Sequence, residues 1–546
     1  MSTFSILPAL RQCVLTLGVL LAAQVAAEVY QYAVPAKDAE DKQITAFLWV
    51  PPEADRIRGV LMGGLTLMEP AFARDPLIRH ACAAEELAIV YFAPALDAVF
   101  NYKEKNSGEL LQKALDDLAQ TSGYREIAIA PLFPFGHSVS TLFASHVVCW
   151  KPSRCFGALL FKGGISFPAN DPGASMLGVP ILAVKGQFEE FGPGPSGVLR
   201  DFEDREAAWK GMRDRVLALR EKDDRHLVSL LVEAGASHFA WSERVCSYVA
   251  MFIRKAAQRR IPDWPADSTE SPKLNDIEPA SGALSSGDIG QAGEQAANYK
   301  AFKGDPAKSL WHLDLELAAA HDAFHKGAFS KKPQFVTFAD PKSGKVIFVG
   351  HDLRLKLGVN WSGPDTFKVA GTFLDQAPDK YPKVDGPVGH ADGPVLFRAY
   401  GGTVEQSGAD TFRVRLDGRQ RVRAEILAYH TGDPTYRYAE QQGRVVLPES
   451  LTQGKPQAIK FPEIGPLRPD SPPLRLLATS DSGLPVRFYV EYGPAVIEEN
   501  TLKIAEMPRR AALPHRIRVV ANQYGSAVEP LVQSAESVKQ EIVVVK

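Results

Sequence analysis

Gly136-His137-Ser138-Val139-Ser140 sets a serine between small residues. It follows the apolar run Leu132–Phe135 and precedes the apolar, helix-compatible run Thr141–Cys149. A serine on a sharp strand-to-helix turn is lifted clear of the sheet edge, where a base can take its proton. The next N–H, on Val139, then lies beside the carbon under attack. The flanking residues must be small because the turn has no room for a larger Cβ. Ser140 stands where glycine is commoner, so the G-x-S-x-G match is imperfect. A serine nucleophile needs a base, and the base needs a carboxylate to orient it. Val179–Gly186 reads as a buried strand ending in glycine, with Glu189 and Glu190 just beyond it. Leu227–Val232 reads as the next strand and runs into Gly235-Ala236-Ser237-His238-Phe239. Each residue alone also has a structural reading: Ser138 as a helix N-cap, His238 as a buried histidine, the two glutamates as a solvated loop. Their order, serine then carboxylate then histidine, each after its own strand, points to acyl transfer.

The elements around these residues alternate. Strands are expected at Thr45–Val50, Gly59–Gly64, Ala88–Phe92, Leu132–Gly136, Ala158–Phe161, Pro180–Lys185 and Leu227–Val232, and helices at about Phe72–Glu86, Gly108–Ser122, Ser138–Cys149, Phe202–Glu221 and Ala240–Ala257. Buried strands alternating with helices of this length imply a mostly parallel sheet covered on both faces. With its serine motif, residues 28–262 resemble the α/β-hydrolase superfamily in its serine-esterase form. The resemblance implies Ser138 as nucleophile, His238 as base and Glu189 as acid, at the acid's place in Gly186-Gln187-Phe188-Glu189, with Glu190 as the alternative acid. Gly59–Leu65 resembles the superfamily's His-Gly oxyanion loop with Gly63 in place of His, which implies Leu65 N–H as the second oxyanion donor beside Val139 N–H. The stretch between Phe161 and Val179, where many lipases insert a cap, is short, which implies an open site. No cofactor is implied.

The chain has 546 residues, more than one compact domain. Hydrophobic content of 45% and charged content of 23% are ordinary for a soluble globular protein, and the net charge of −2 offers nucleic acid no basic field. Residues 1–27 read as a signal peptide, with Arg11, an apolar core Val14–Ala23 and a small-residue cleavage site Val25-Ala26-Ala27. That core is shorter than the roughly 20 residues a membrane span takes, so a secreted or periplasmic protein is expected. Beyond the signal remain Cys82, Cys149, Cys155 and Cys246. An even number in an exported chain suggests disulfides. Cys149 and Cys155 flank a short turn, and the resemblance puts the helices of Cys82 and Cys246 on one face of the sheet. Cys149–Cys155 and Cys82–Cys246 are the pairs expected, with buried free thiols as the alternative.

Residues 263–330 read as a linker or surface strap, then an amphipathic helix over Leu310–Phe324 packing on the hydrolase body. His321 and His325 are four apart on it but lack a third metal ligand, so they read as surface histidines. From about Pro333 the period becomes two. Strands are expected at Gln334–Ala339, Lys345–Val349, Thr366–Phe373, Val395–Tyr400, Thr411–Leu416, Val422–Tyr429 and Arg444–Leu447. Residues 331–470 thus read as an all-β sandwich, and residues 471–546 resemble bacterial immunoglobulin-like modules. Gly192–Gly197 matches G-x-G-x-x-G, but its prolines remove the N–H groups a pyrophosphate needs.

The expectation is an exported serine hydrolase cleaving a carboxylic ester of a large external substrate, such as acylated polysaccharide. An extracellular polyester depolymerase is the second reading. The contrasting class is a non-catalytic carbohydrate-binding protein on a hydrolase scaffold, with Trp361, Tyr436 and Tyr438 as aromatic candidates, each of which also reads as a core-packing residue.

Overall fold

A computed structural model describes residues 29–64, 68–168, 171, 173–189, 206–291, 293–348, 355–378 and 387–546. The segment expected to be a signal peptide, Leu65, Glu190 and the Gly192–Gly197 stretch lie outside them.

The first half is built on an eight-stranded sheet: β1 (Tyr32–Lys37), β2 (Gln43–Trp49), β3 (Gly59–Gly63), β4 (Leu87–Ala93), β5 (Leu132–His137), β6 (Ala158–Phe161), β7 (Ile181–Gly186) and β8 (Val228–Glu233). Their order is β1-β2-β4-β3-β5-β6-β7-β8. β2 runs antiparallel to both its neighbours, and every pairing from β4 onward is parallel. β3 to β8 are buried along their whole length, which is why these strands read as continuous apolar runs rather than alternating ones. The edge strand β1 alternates and contains Pro35, and no strand was expected there.

Helices α1 (Glu69–Arg74), α2 (Pro76–Ala84), α3 (Ser107–Ser122), α4 (Thr141–Trp150), α5 (Ala207–Lys222) and α6 (Glu243–Arg260) cover the sheet. Asp75 splits what reads as one helix into α1 and α2. It is extended, and its carboxylate caps α2 by accepting from Leu77 and Ile78 N–H. α2 packs on α6, yet the expected Cys82–Cys246 disulfide is absent, as is Cys149–Cys155. All four thiols are free and buried. Cys155 Sγ is turned to Val147 O at 3.9 Å, and burial, joined by Asp75 beside it, pushes the Cys246 thiol far above its usual range. Each thiol is a packed core atom rather than a half-bridge.

The strap after α6 is ordered and buries Trp264, Leu274 and Ile277. β9 (Ala283–Ser286), β10 (Ala297–Asn298) and β11 (Ser309–His312) form a small antiparallel sheet, and α7 (Leu315–His325) follows. The expected helix therefore starts later. Leu310 and Trp311 are both fully buried on β11, a pattern that a helical period cannot be told from over so few residues. His321 and His325 are buried, not on the surface.

The second half is β-rich. A four-stranded sheet runs Leu355–Leu357, Ala439–Val445, Ala424–His430 and Leu396–Gly402 in spatial order, around a core that includes Phe338, Phe367, Phe412 and Ile426. The strand expected at Arg444–Leu447 in fact occupies Ala439–Val445. Thr366–Phe373 is two strands, Thr366–Lys368 and Ala370–Phe373. Two three-stranded sheets follow, packed about Ile517, Val519 and Ile542.

Candidate active site

β5 ends at His137 and passes through a single 3₁₀ turn, Ser138–Ser140, into α4. Ser138 has φ +59°, a left-handed conformation uncommon for a residue with a side chain and costly unless its surroundings impose it. Those surroundings are identifiable. A Cβ on Gly136 would collide with the Ser140 carbonyl, and one on Gly163 with the Ser138 carbonyl. Thr141 Oγ1 donates to Ser138 O at 2.7 Å and accepts Gly164 N–H at 3.1 Å. Ser138 is half-buried and Val139 is 45% exposed, so the tip of the turn faces solvent.

Glu69 holds the turn from the other side. This carboxylate at the start of α1 is buried. It accepts His137 N–H at 2.9 Å and the Ser140 hydroxyl. Ser140 Oγ also accepts His137 N–H at 2.9 Å. The serine in place of glycine is therefore a tie to Glu69, a role that only the fold reveals.

Glu189 lies just past β7 and is buried. Gly186 N–H donates to its Oε1 at 2.6 Å, and Lys185 Nζ to its Oε2 at 2.9 Å. His238 Nδ1 lies 3.3 Å from the same Oε2. Burial pushes this carboxyl up, but the Lys185 ammonium, the His238 contact and Lys162 outweigh that and hold it down at about 2. Glu189 is thus an anion at neutral pH, bound to the ring nitrogen that it would orient. His238 is 2% exposed. Its carbonyl is 2.8 Å from His137 Nε2, and the two rings are 4.7 Å apart, which seats the histidine against the residue preceding Ser138.

The loop carrying His238 is held from below by a residue that sequence reasoning missed. Lys162, at the end of β6, is fully buried and donates to Ser237 O at 2.6 Å and Ala240 O at 2.9 Å. Its carboxylate partner Glu233 is 3.5 Å away. Phe72, Phe161 and Trp241 wall a small apolar pocket beside the turn. Among the described residues no group of three or more His, Cys, Asp or Glu could hold a metal ion, and no helix is long and apolar enough to cross a membrane.

Of the carbohydrate-binding candidates, Trp361 packs edge-on against Phe367 and Tyr438 donates its hydroxyl to Glu440.

Comparison with protein-family models and with curated proteins gives no match. Solved structures similar to the N-terminal part include the poly(3-hydroxybutyrate) depolymerase LpqC from Bordetella parapertussis, at 15% identity over 44% of this chain and 96% of that one, TM-score 0.30. An S-formylglutathione hydrolase from Agrobacterium tumefaciens matches at 15% identity over 42% and 94%, TM-score 0.29. Est1E from Butyrivibrio proteoclasticus matches at 13% over 41% and 99%, TM-score 0.28. At these identities and scores the functional reading rests on the chain's own residues.

Proposed function

We propose that this chain is a serine hydrolase of carboxylic esters, exported by its N-terminal segment. Ser138 is the nucleophile, His238 the base and Glu189 the acid. The observation that carries the reading is the left-handed Ser138 at a strand-to-helix turn, preceded by His137, which packs on a histidine whose Nδ1 meets a buried, ionised carboxylate. His238 takes the Ser138 proton as Oγ attacks the ester carbonyl and returns it to the leaving alcohol. Glu189 fixes the imidazole tautomer and stabilises the imidazolium. Val139 N–H, and by the same reading Leu65 N–H, bind the oxyanion. Water then enters by the same base and releases the acid. The exposed Val139 turn supports a large substrate, for which acylated polysaccharide is the first class and a polyester the second. The last unit, read as immunoglobulin-like, is an accessory in this scheme.

A fluorophosphonate probe tests this without a substrate guess. Labelling is expected at Ser138 and absent in Ser138→Ala, whose esterase kcat should fall by at least about 10³-fold. Folded protein that takes no label at Ser138 would instead favour a non-catalytic binding protein.

A further inference from the structure

The catalytic-site loops are also gripped from outside, by the second half of the chain. The Tyr438 carbonyl lies so close over Gly235 that a Cβ there would collide with it, and Gly235 has φ +76°. Two residues on, the Glu440 carboxylate accepts Ser237 N–H at 2.9 Å and the Ser237 hydroxyl. Gln442 Nε2 donates to the same Ser237 Oγ, and Tyr438 O–H donates to the other Glu440 oxygen. Ser237, Glu440 and Gln442 are all buried, and Ser237 directly precedes His238. The acid's loop is held as well: Arg437 Nη1 donates to Gln187 Oε1 at 3.2 Å, and its guanidinium lies 4.9 Å from the Phe188 ring centre. Gln187 Oε1 also accepts Gly235 N–H at 2.8 Å, linking the two loops. Above them Phe239 stacks on Tyr400 at 5.2 Å.

We propose that Glu440 is a positioning residue for the hydrolytic site, acting through Ser237 on His238, so that the β-rich half completes the active site. This rests on the serine-hydrolase reading. A buried carboxylate is a poor device for cohesion alone, since apolar residues of similar volume often pack as well or better. What its directed hydrogen bonds supply is a fixed backbone at the residue before the base. A misplacement of about 1 Å at a reacting group can cost about 10²-fold in rate.

The test uses the full-length chain, the fluorophosphonate probe and a p-nitrophenyl ester. Glu440→Leu is expected to lower the Ser138 labelling rate and kcat by about 10²-fold with KM little changed. Glu440→Gln keeps an oxygen for Ser237 N–H and should recover most of that loss. A folded Glu440→Leu protein that labels at the wild-type rate overturns the proposal and leaves the hydrolase reading standing. Failure of the wild-type chain to label overturns both. If Glu440→Leu does not fold, Gln442→Leu replaces it. That variant removes the second contact to Ser237 Oγ, and a fall in kcat at unchanged KM supports the proposal while unchanged kcat overturns it.

Discussion

Ser138 is held in its left-handed conformation by neighbours on both sides. The peptide before it is tied to Glu69 through His137 N–H and Ser140 Oγ, and the peptide after it to Thr141. Removing Glu69 takes a carboxylate acceptor from two buried donors, His137 N–H and the Ser140 hydroxyl, which keep their contacts with each other's residue. Glu69→Ala should therefore destabilise the chain by roughly 1–3 kcal/mol and slow Ser138 labelling, even if the carboxylate never touches substrate. Urea denaturation alongside labelling rates would show both effects, and unchanged labelling would reduce Glu69 to a stability residue. Gly136→Ala should be worse, because its new methyl meets the Ser140 carbonyl rather than a movable side chain. Glu69 has no sequence signature. It lies 71 residues before Ser140 in a helix of its own, and its role exists only once α1 packs on β5.

At the scale of elements, α7 and the β9–β11 sheet dock on β8 through a buried imidazole network. Ser285 Oγ is 2.8 Å from His312 Nε2 and 3.2 Å from His321 Nδ1. His321 Nε2 is 2.9 Å from Leu230 O, and His325 Nε2 accepts Val232 N–H at 3.1 Å. Burial holds His312 and His325 well below the usual histidine range. His321 adds to this at both, Arg220 at His312 and Arg244 at His325, while backbone contacts oppose it at His325. Tyr248 also faces His312 and Asp322 faces His321. The unfolded chain binds protons at His312 and His325 near pH 6.5, whereas the folded chain does not. Their contribution to stability is therefore complete above that pH and is lost as pH falls below it. Glu189 adds a second loss between about 4.5 and 2, since its folded carboxyl is the depressed one. The urea midpoint should drop between about pH 7.5 and 5.5, and less steeply in His312→Gln. A flat midpoint across that range would mean the histidines are not held neutral.

Across the whole molecule, the β-rich half meets the first half in two main regions among the described residues. The strand Ala439–Val445 grips the loops carrying Glu189 and His238, and the final unit docks along β1 and the end of α3. In the second contact Arg510 Nη1 lies 2.7 Å from the buried carboxylate of Glu126, and Arg510 N–H donates to Tyr124 Oη at 3.2 Å. Gly493 N–H donates to Tyr30 O at 2.7 Å. Elements that share buried polar contacts unfold together. Arg510→Ala, which leaves the buried Glu126 carboxylate with Ile57 N–H but without its guanidinium partner, should cost roughly 1.5–3 kcal/mol. It should lower the melting temperature seen by tryptophan fluorescence and by far-ultraviolet circular dichroism equally. Two separated transitions would show that the halves are independent.

The first half was largely legible in the sequence, for a physical reason. Strands buried on both faces must be continuously apolar, and helices of ordinary length separate them, so order and class follow from composition along the chain. The serine turn was visible because its geometry demands small residues at fixed positions. The sequence could not show the strand that reaches the site. Ala439–Val445 carries Glu440, Gln441, Gln442 and Arg444 and reads as polar and exposed, yet most of it is buried. Its side chains find hydrogen-bond partners on a loop more than 200 residues away, at a separation of 203 for Glu440 and Ser237. The same holds for Lys162 and His312, which are buried at the end of one strand and on another. A polar residue's burial is decided by partners, and partners distant in the chain are set by tertiary structure alone.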